Sequence, residues 1–270
     1  MSDESSDLES PEKSQEKSPS ILNRTWRYIA FKKYDPFLKI ALNEVALTSV
    51  SHSGSPIVWI SGWERSCVNV GLQQKISDVV NTNEIKKQNL VVVRRQTSGG
   101  ALFMDKDGEL SWAVIVPNEL LPKDGSDVLK FYAEKVAAAL ETLGIEAYFK
   151  TPNDILTTLG KISNVEVKKE RNATYIGGTL LFTANVNAFR SVLQPENDLS
   201  KAKRSPEKYK PLTAISMETE KTKEETLQAL SGAFLENITF KIDDWSKNEM
   251  SDAQTLAEKY GGENWLRSRE

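Results

Sequence analysis

The chain has one cysteine, Cys67, and one histidine, His52. A single thiol permits no internal disulfide, and a single imidazole leaves no ordinary zinc cluster. A hydrolase built on a serine–histidine–aspartate triad would have to run on His52 alone. No apolar run approaches the roughly eighteen residues of a membrane span, so an integral membrane protein is not expected. The N-terminus is acidic and has no apolar stretch behind it, which argues against a secretory signal. With the lone thiol, these absences point to the reducing cytoplasm.

What is present is enough for a sizeable core. The 270 residues are 39% hydrophobic and 8% aromatic, and carry a formal charge of −3. That charge is unevenly placed. Residues 1–20 hold seven serines and six acidic residues against two lysines, a charge of −4, which leaves +1 for the remainder. Such a segment has too little apolar surface to offset its ordering entropy, so residues 1–22 are expected to be a disordered acidic tail and 23–270 one domain. A near-neutral body without basic–aromatic clusters argues against nucleic acid as a partner.

Along the body, Asp35-Pro36 is a helix start, an N-cap acid followed by proline at the first helical position. Phe37, Ile40, Ala41 and Val45 recur at helical spacing over about 36–50. Residues 56–60, 67–70, 90–93, 101–103 and 110–116 have strand patterns, with a weaker helix over 76–88. The strongest helix is expected at 126–143, its stripe made of Leu129, Tyr132, Val136 and Leu140, with Gly144 as the residue that ends it. Strands follow at 147–149 and 174–183. Thr222 and Glu225 form a capping box for a helix carrying Leu227, Leu230 and Phe234, and a last short helix holds Leu256 and Tyr260. Strands and helices mix without strict alternation, which predicts an α+β fold, a sheet covered by helices.

Two stretches carry chemistry. In Arg94-Arg95-Gln96-Thr97-Ser98-Gly99-Gly100-Ala101-Leu102-Phe103, a turn of small residues after two arginines lets backbone N–H groups approach an anion, with a guanidinium beside them. It is neither a Walker loop nor a dinucleotide fingerprint. Alone, a Gly-Gly turn between strands is more often a hairpin. The second stretch is Asn153-Asp154-Ile155 with Gly160-Lys161-Ile162 and Gly177-Gly178-Thr179. Lys161 precedes an apolar residue and is a candidate for an ammonium directed into a pocket, and Asp154 for orienting it or for meeting a magnesium ion. For any one lysine among many, a solvated surface role is the default.

The two stretches together, in this order, resemble the lipoate–protein ligase family, within the superfamily shared with biotin–protein ligases. The likeness begins at Asp35-Pro36-Phe37 and Ala41–Glu44, passes through Cys67–Gln73, centres on Arg94–Trp112, and continues through Asn153–Ile155, Gly160–Ser163 and Gly178–Leu181 to Leu256–Tyr260 and Trp265. It implies a mixed, largely antiparallel sheet covered by helices, in a catalytic domain without a C-terminal accessory domain. It departs from the family at Ser98, Met104, Glu109, Asn164 and Gly177, positions that adjoin the expected pocket.

By that resemblance, lipoate would be activated with ATP and magnesium to lipoyl-AMP and passed to a lysine of a carrier domain, the E2 subunit of a 2-oxoacid dehydrogenase or the glycine-cleavage H protein. Lys161 would be the catalytic residue. Arg95, Gly99, Gly100, Ala101, Leu102 and Phe103 would bind ATP or the adenylate with it; Val70 and Gly100, again with Lys161, would meet lipoate; Asp154 is the candidate for magnesium. Val92 and Leu102 are further candidates for walling the acyl slot. A separate small accessory subunit is a possible partner. Rival readings are an octanoyl- or lipoyl-transferase on the same fold that needs no ATP, and a catalytically impaired paralogue that binds lipoyl groups. A biotin ligase is disfavoured, because its Gly-Arg-Gly-Arg loop is replaced by Arg94-Arg95 and Gly99-Gly100.

Overall fold

The structure is a computed structural model that describes residues 24–122, 125–193 and 211–270. The acidic tail expected over 1–22 lies outside the described residues. The chain opens with strand β1 (Trp26–Tyr34), which leads into helix α1 (Pro36–Ser53). Asp35 caps α1 by accepting from the Phe37 N–H at 2.9 Å, and Gly54 closes it at φ 68°. Strands β2 (Ile57–Trp63) and β3 (Cys67–Val70) follow. The helix expected over 76–88 is two pieces, α2 (Ile76–Val79) and α3 (Thr82–Lys87). Asn81 interrupts it, because its side chain accepts from the Glu84 N–H and begins a new helix there.

Next come β4 (Val91–Arg94), β5 (Leu102–Met104), β6 (Glu109–Pro117), α4 (Gly125–Thr142) and β7 (Tyr148–Lys150). Three short strands then follow that the sequence did not announce: β8 (Asp154–Leu156), β9 (Lys161–Asn164) and β10 (Glu166–Glu170). They lead to β11 (Ala173–Leu181), α5 (Val186–Val192), α6 (Ile215–Glu218) and α7 (Lys223–Leu235), the last with the predicted Thr222–Glu225 capping box. The chain finishes with β12 (Phe240–Asp243), α8 (Lys247–Gly261) and α9 (Glu263–Leu266). Ser246 and Glu249 make a second capping box, so α8 starts well before Leu256.

The main sheet runs β12-β1-β2-β6-β11-β9-β8-β7, with β10 also paired to β11. Only β12–β1 and β1–β2 are parallel; every other pair in it is antiparallel. A smaller sheet, β4-β3-β5, stands apart. The central strands are buried on both faces, and their side chains alternate between two cores. Leu110, Trp112, Val114 and Val116 of β6 join Val58 and Ile60 of β2 beneath α4 and α7. Ala113 and Ile115 join Ile57 and Trp59 beneath α1 and α8 on the opposite face. A third core, containing Val68, Val70, Ile76 and Val192, backs the smaller sheet. The mixed α+β sheet covered by helices is as predicted. No described helix is long and apolar enough to cross a membrane.

Candidate active site

A cleft runs along the α1 face of the main sheet, roofed by the smaller sheet. Two adjoining hollows make it up, one with about 620 Å³ and the other with about 570 Å³ of open space. Leu102, Met104 and Thr179 line both and join them.

Lys161 stands in the second hollow. Strand β9 presents it because its backbone is held on both sides: its N–H donates to the Pro211 carbonyl at 2.7 Å, and its carbonyl accepts from the Thr213 N–H at 3.0 Å. On the adjacent strand β8, Asp154 Oδ1 lies 2.5 Å from the Lys161 ammonium. Both side chains are about 30% exposed, at 28% and 31%, so the pair is open to a substrate rather than sealed. Asp105, Phe103, Asn185 and Phe189 complete this hollow's rim.

The Thr97–Gly100 turn is shaped from inside by Arg95, which is only 5% exposed. Its guanidinium donates to the carbonyls of Asn69 (3.1 Å), Ser98 (3.0 Å) and Gly100 (2.9 Å), and its Nε lies 3.2 Å from Glu166. Burial lowers its pKa, against the opposing pull of Glu166. Gly99 takes φ 109°, and its carbonyl sits so close to Gly71 that a Cβ there would fall 2.1 Å away. Arg94, fully buried, is a different device: it donates to the carbonyls of Gly71, Leu72, Gln74 and Leu266 and ties the C-terminal helices to the loop after β3. Of the other expected contacts, Leu102 and Phe103 line the cleft, while Gly99 and Gly100 are exposed on the turn. Val70 is buried in the third core and lines neither hollow.

The first hollow holds a lysine that sequence reasoning passed over, and Glu109, noted in the sequence as a departure, lines the second. Lys39 enters the first hollow from α1 and is 3% exposed. Its ammonium lies 4.4 Å from the Trp63 ring centre and 5.4 Å from that of Trp59. Burial pulls its pKa down to about 8, resisted by Glu109, Cys67 and Glu166. Glu109 is 1% exposed and accepts from the Ser111 hydroxyl at 2.6 Å; burial raises its pKa, and Lys39 opposes that shift. The helical spacing of Lys39 to Leu42 and Ala46 could have placed it on the buried face of α1.

Several departures from the family pattern have local reasons. Tyr175 lies across Gly177 so closely that a Cβ there would meet its hydroxyl at 2.2 Å. Asn164 Oδ1 accepts from the Thr179 hydroxyl at 2.6 Å and fastens β9 to β11. Met104, 3% exposed, forms part of the wall between the hollows. Cys67 is fully buried in the α1-side core, lines neither hollow, and has its thiol pKa raised by burial. Among the described residues no three His, Cys, Asp or Glu side chains gather to hold a metal. Asp154 supplies a single carboxylate, one oxygen of which already meets Lys161. This donor set fits only a magnesium ion carried mainly by the phosphates of a nucleotide.

The structure is thus an α+β domain with a lysine–carboxylate pair beside a cleft under a small second sheet. Residues 35–239 match the lipoyl protein ligase A/B catalytic-domain model, and the chain belongs to that family. It is 22% identical over 275 residues to octanoyltransferase LipM of Staphylococcus epidermidis, covering 91% of this chain and 99% of that protein. A solved bipartite lipoate protein ligase of Thermoplasma acidophilum, described with its E2 lipoyl domain, superposes with a TM-score of 0.79 at 21% identity, covering 92% of this chain and 97% of that one. A lipoate–protein ligase A solved with ATP gives 0.78 at 20%, covering 92% and 100%. At these identities the two structures establish the fold, a lipoate-ligase-like catalytic domain.

Proposed function

We propose that the protein is an ATP-dependent lipoate–protein ligase. The observation that carries this reading is the separation of cation and thiol: the cleft holds an accessible ammonium at Lys161, whereas the chain's one thiol, Cys67, is buried outside it. A transferase working through a cysteinyl acyl-enzyme needs a partly exposed, activated thiol. Adenylate formation instead needs a fixed cation where a carboxylate meets an anionic phosphorus. In that step a carboxylate oxygen bonds to the α-phosphorus and pyrophosphate leaves. In the second, the carrier lysine's amine bonds to the acyl carbon, losing a proton, and AMP leaves.

Lys161 neutralises the charge that builds in both steps, and Asp154 holds its ammonium in place. Arg95 sets the turn whose N–H groups face the phosphates. Magnesium accompanies ATP as part of the co-substrate. The second hollow takes the nucleotide and the first takes the acyl tail. Lipoyl carrier domains of the E2 or H-protein type are the acceptors in this reading, with a separate small subunit as a possible helper in a cytoplasmic setting. The T. acidophilum ligase and its E2 lipoyl domain offer a precedent for both carrier and divided ligase.

The competing reading, transfer of an octanoyl group from an acyl carrier without ATP, is favoured by the likeness to LipM along nearly the whole chain. Incubation of an apo-carrier with magnesium and either lipoate or an octanoylated acyl-carrier donor, each with and without ATP, separates the two when pyrophosphate and carrier mass are followed. Stoichiometric pyrophosphate and an ATP-dependent mass gain are expected. Carrier modification from octanoylated donor alone, with no pyrophosphate, would replace the ligase reading by the transferase.

A further inference from the structure

The end of the cleft farther from Asp154 is not the apolar tube that an unsubstituted alkyl chain would want. Ile40, Leu47, Trp63, Leu102 and Met104 give it apolar walls; Arg95, Glu166 and Lys168 line it too but are held in ion pairs, whereas Lys39 and Asn69, which also line it, are not. Lys39 is 3% and Asn69 5% exposed. Among the described residues the Lys39 ammonium has ring contacts and more distant charges around it but no hydrogen-bonded acceptor, and Asn69 Oδ1 is buried without a donor. Buried polar groups left in that state are uncommon and costly, and here two of them border the same hollow.

We propose that Lys39 and Asn69 are specificity-determining residues that select a medium-length carboxylic acid carrying an oxygen function toward its far end, a hydroxyl or a second carboxylate. The inference rests on the reading of the first hollow as the acyl site. Hydrogen-bond geometry supports it. An ammonium has three donors and no acceptor, and an amide has both, so a hydroxyl can be met from two sides and a carboxylate from the lysine. Octanoate offers neither group, and seating it would strip water from Lys39 and return nothing. The dithiolane sulfurs of lipoate are weak acceptors, so on this inference the adenylate chemistry proposed above is kept and the acid it activates is the oxygen-bearing one rather than lipoate. A charged donor met by the right oxygen is worth roughly 10- to 100-fold in affinity over the analogue lacking it.

The test measures binding, not turnover, on the full chain. Octanoate, lipoate, 8-hydroxyoctanoate and octanedioate are titrated by calorimetry, with tryptophan fluorescence as a second readout because Trp63 lines the hollow. At least tenfold tighter binding of one or both oxygen-bearing acids than of octanoate is expected. A preference for octanedioate alone would identify an anionic tail, and a preference for 8-hydroxyoctanoate a neutral one; either supports the proposal. Lys39→Met keeps the stem under Trp63 and should erase the preference while tightening octanoate. Asn69→Val should weaken the preference in the same direction through a different strand, which guards against a misfolded lysine variant. Equal or tighter binding of octanoate by the wild type would overturn the inference and leave the ligase reading standing. Failure of all four acids to bind would overturn the acyl-hollow assignment, and this inference with it.

Discussion

Lys161 and Lys39 stand in the two hollows of the cleft, and their surroundings differ in every respect that matters chemically. Lys161 is partly exposed, ion-paired to Asp154 at 2.5 Å and fixed by backbone bonds on both sides. Lys39 is buried against two tryptophan rings, with no carboxylate in contact, and burial brings its pKa down to about 8. An exposed, paired ammonium costs the fold little. A buried one weakens the folded state unless a ligand meets it. On the function proposed above, one end of the cleft serves reaction and the other recognition.

The largest test of this contrast is Lys161→Ala. Removing a preorganised cation from the reacting atoms should lower adenylate formation by about 10²–10³-fold. The unfolding free energy should change by less than about 1 kcal/mol, because the pair is part-exposed and screened. Pyrophosphate release and a denaturant melt measure the two. A stability loss as large as the catalytic one would mean that Lys161 is a structural residue and the contrast is false.

Asp154→Asn should have a smaller effect. The amide can still accept a hydrogen bond from Lys161 but no longer pins it by charge, so a roughly tenfold loss in kcat is expected, as for a weakened charge-assisted bond. Unaltered magnesium dependence in the variant would place Asp154 with the lysine rather than with the metal.

How far each end could be seen in the sequence follows from how it is assembled. The Lys161 end is local. Asn153-Asp154 and Gly160-Lys161 lie within nine residues, and adjacent strands β8 and β9 bring them together, so the pairing could be anticipated. The strands themselves were missed because they are three to five residues long and polar, as in Lys168-Lys169-Glu170. The Lys39 end is assembled from α1, β2, β3 and β6, elements joined only by tertiary packing. Glu109 stood out as a departure, but nothing in its neighbours along the chain pointed to Lys39. Strand β1 was hidden by the charged Arg27, Lys32 and Lys33, and β12 by pairing parallel to a strand more than two hundred residues earlier. The strands β2 and β6 were legible as apolar runs, but their two core faces were not, because they are buried on both sides and show no polar alternation.

Stability should show the contrast from the other side. The double variant Lys39→Met with Glu109→Gln removes both buried titratable groups and keeps the side-chain volumes and an acceptor for Ser111. A gain of about 1–3 kcal/mol at pH 7 is expected. The sign of its pH dependence follows from the lowered pKa. Between about pH 8 and the unfolded value near 10.5, the unfolded chain binds the Lys39 proton and the folded chain does not, so wild-type stability rises with pH. The part of the variant's advantage that comes from Lys39 should therefore shrink across that window, while the part from Glu109, whose charged form burial disfavours, remains, as chemical melts at pH 7, 9 and 10.5 would record. An advantage constant with pH would show that Lys39 keeps an ordinary pKa and that the two ends are electrostatically alike.

The smallest effect should come from the thiol that shares the Lys39 end of the molecule. Cys67 packs in the α1-side core with no exposed surface, and its pKa is raised. Serine in its place adds a hydroxyl to an apolar site, which should cost roughly 1–2 kcal/mol of stability. Because no step of adenylate chemistry runs through sulfur, turnover at a temperature well below the melt should stay within about twofold of wild type. Native protein should likewise resist a thiol-specific alkylating reagent until it is denatured, since the reactive species is an exposed thiolate. An outcome with Cys67→Ser inactive yet folded, and the native thiol alkylated in step with loss of activity, would move the nucleophile from the carboxylate of a free acid to the enzyme itself. It would then be the buried end of the cleft, not the Lys161 end, where acyl transfer takes place.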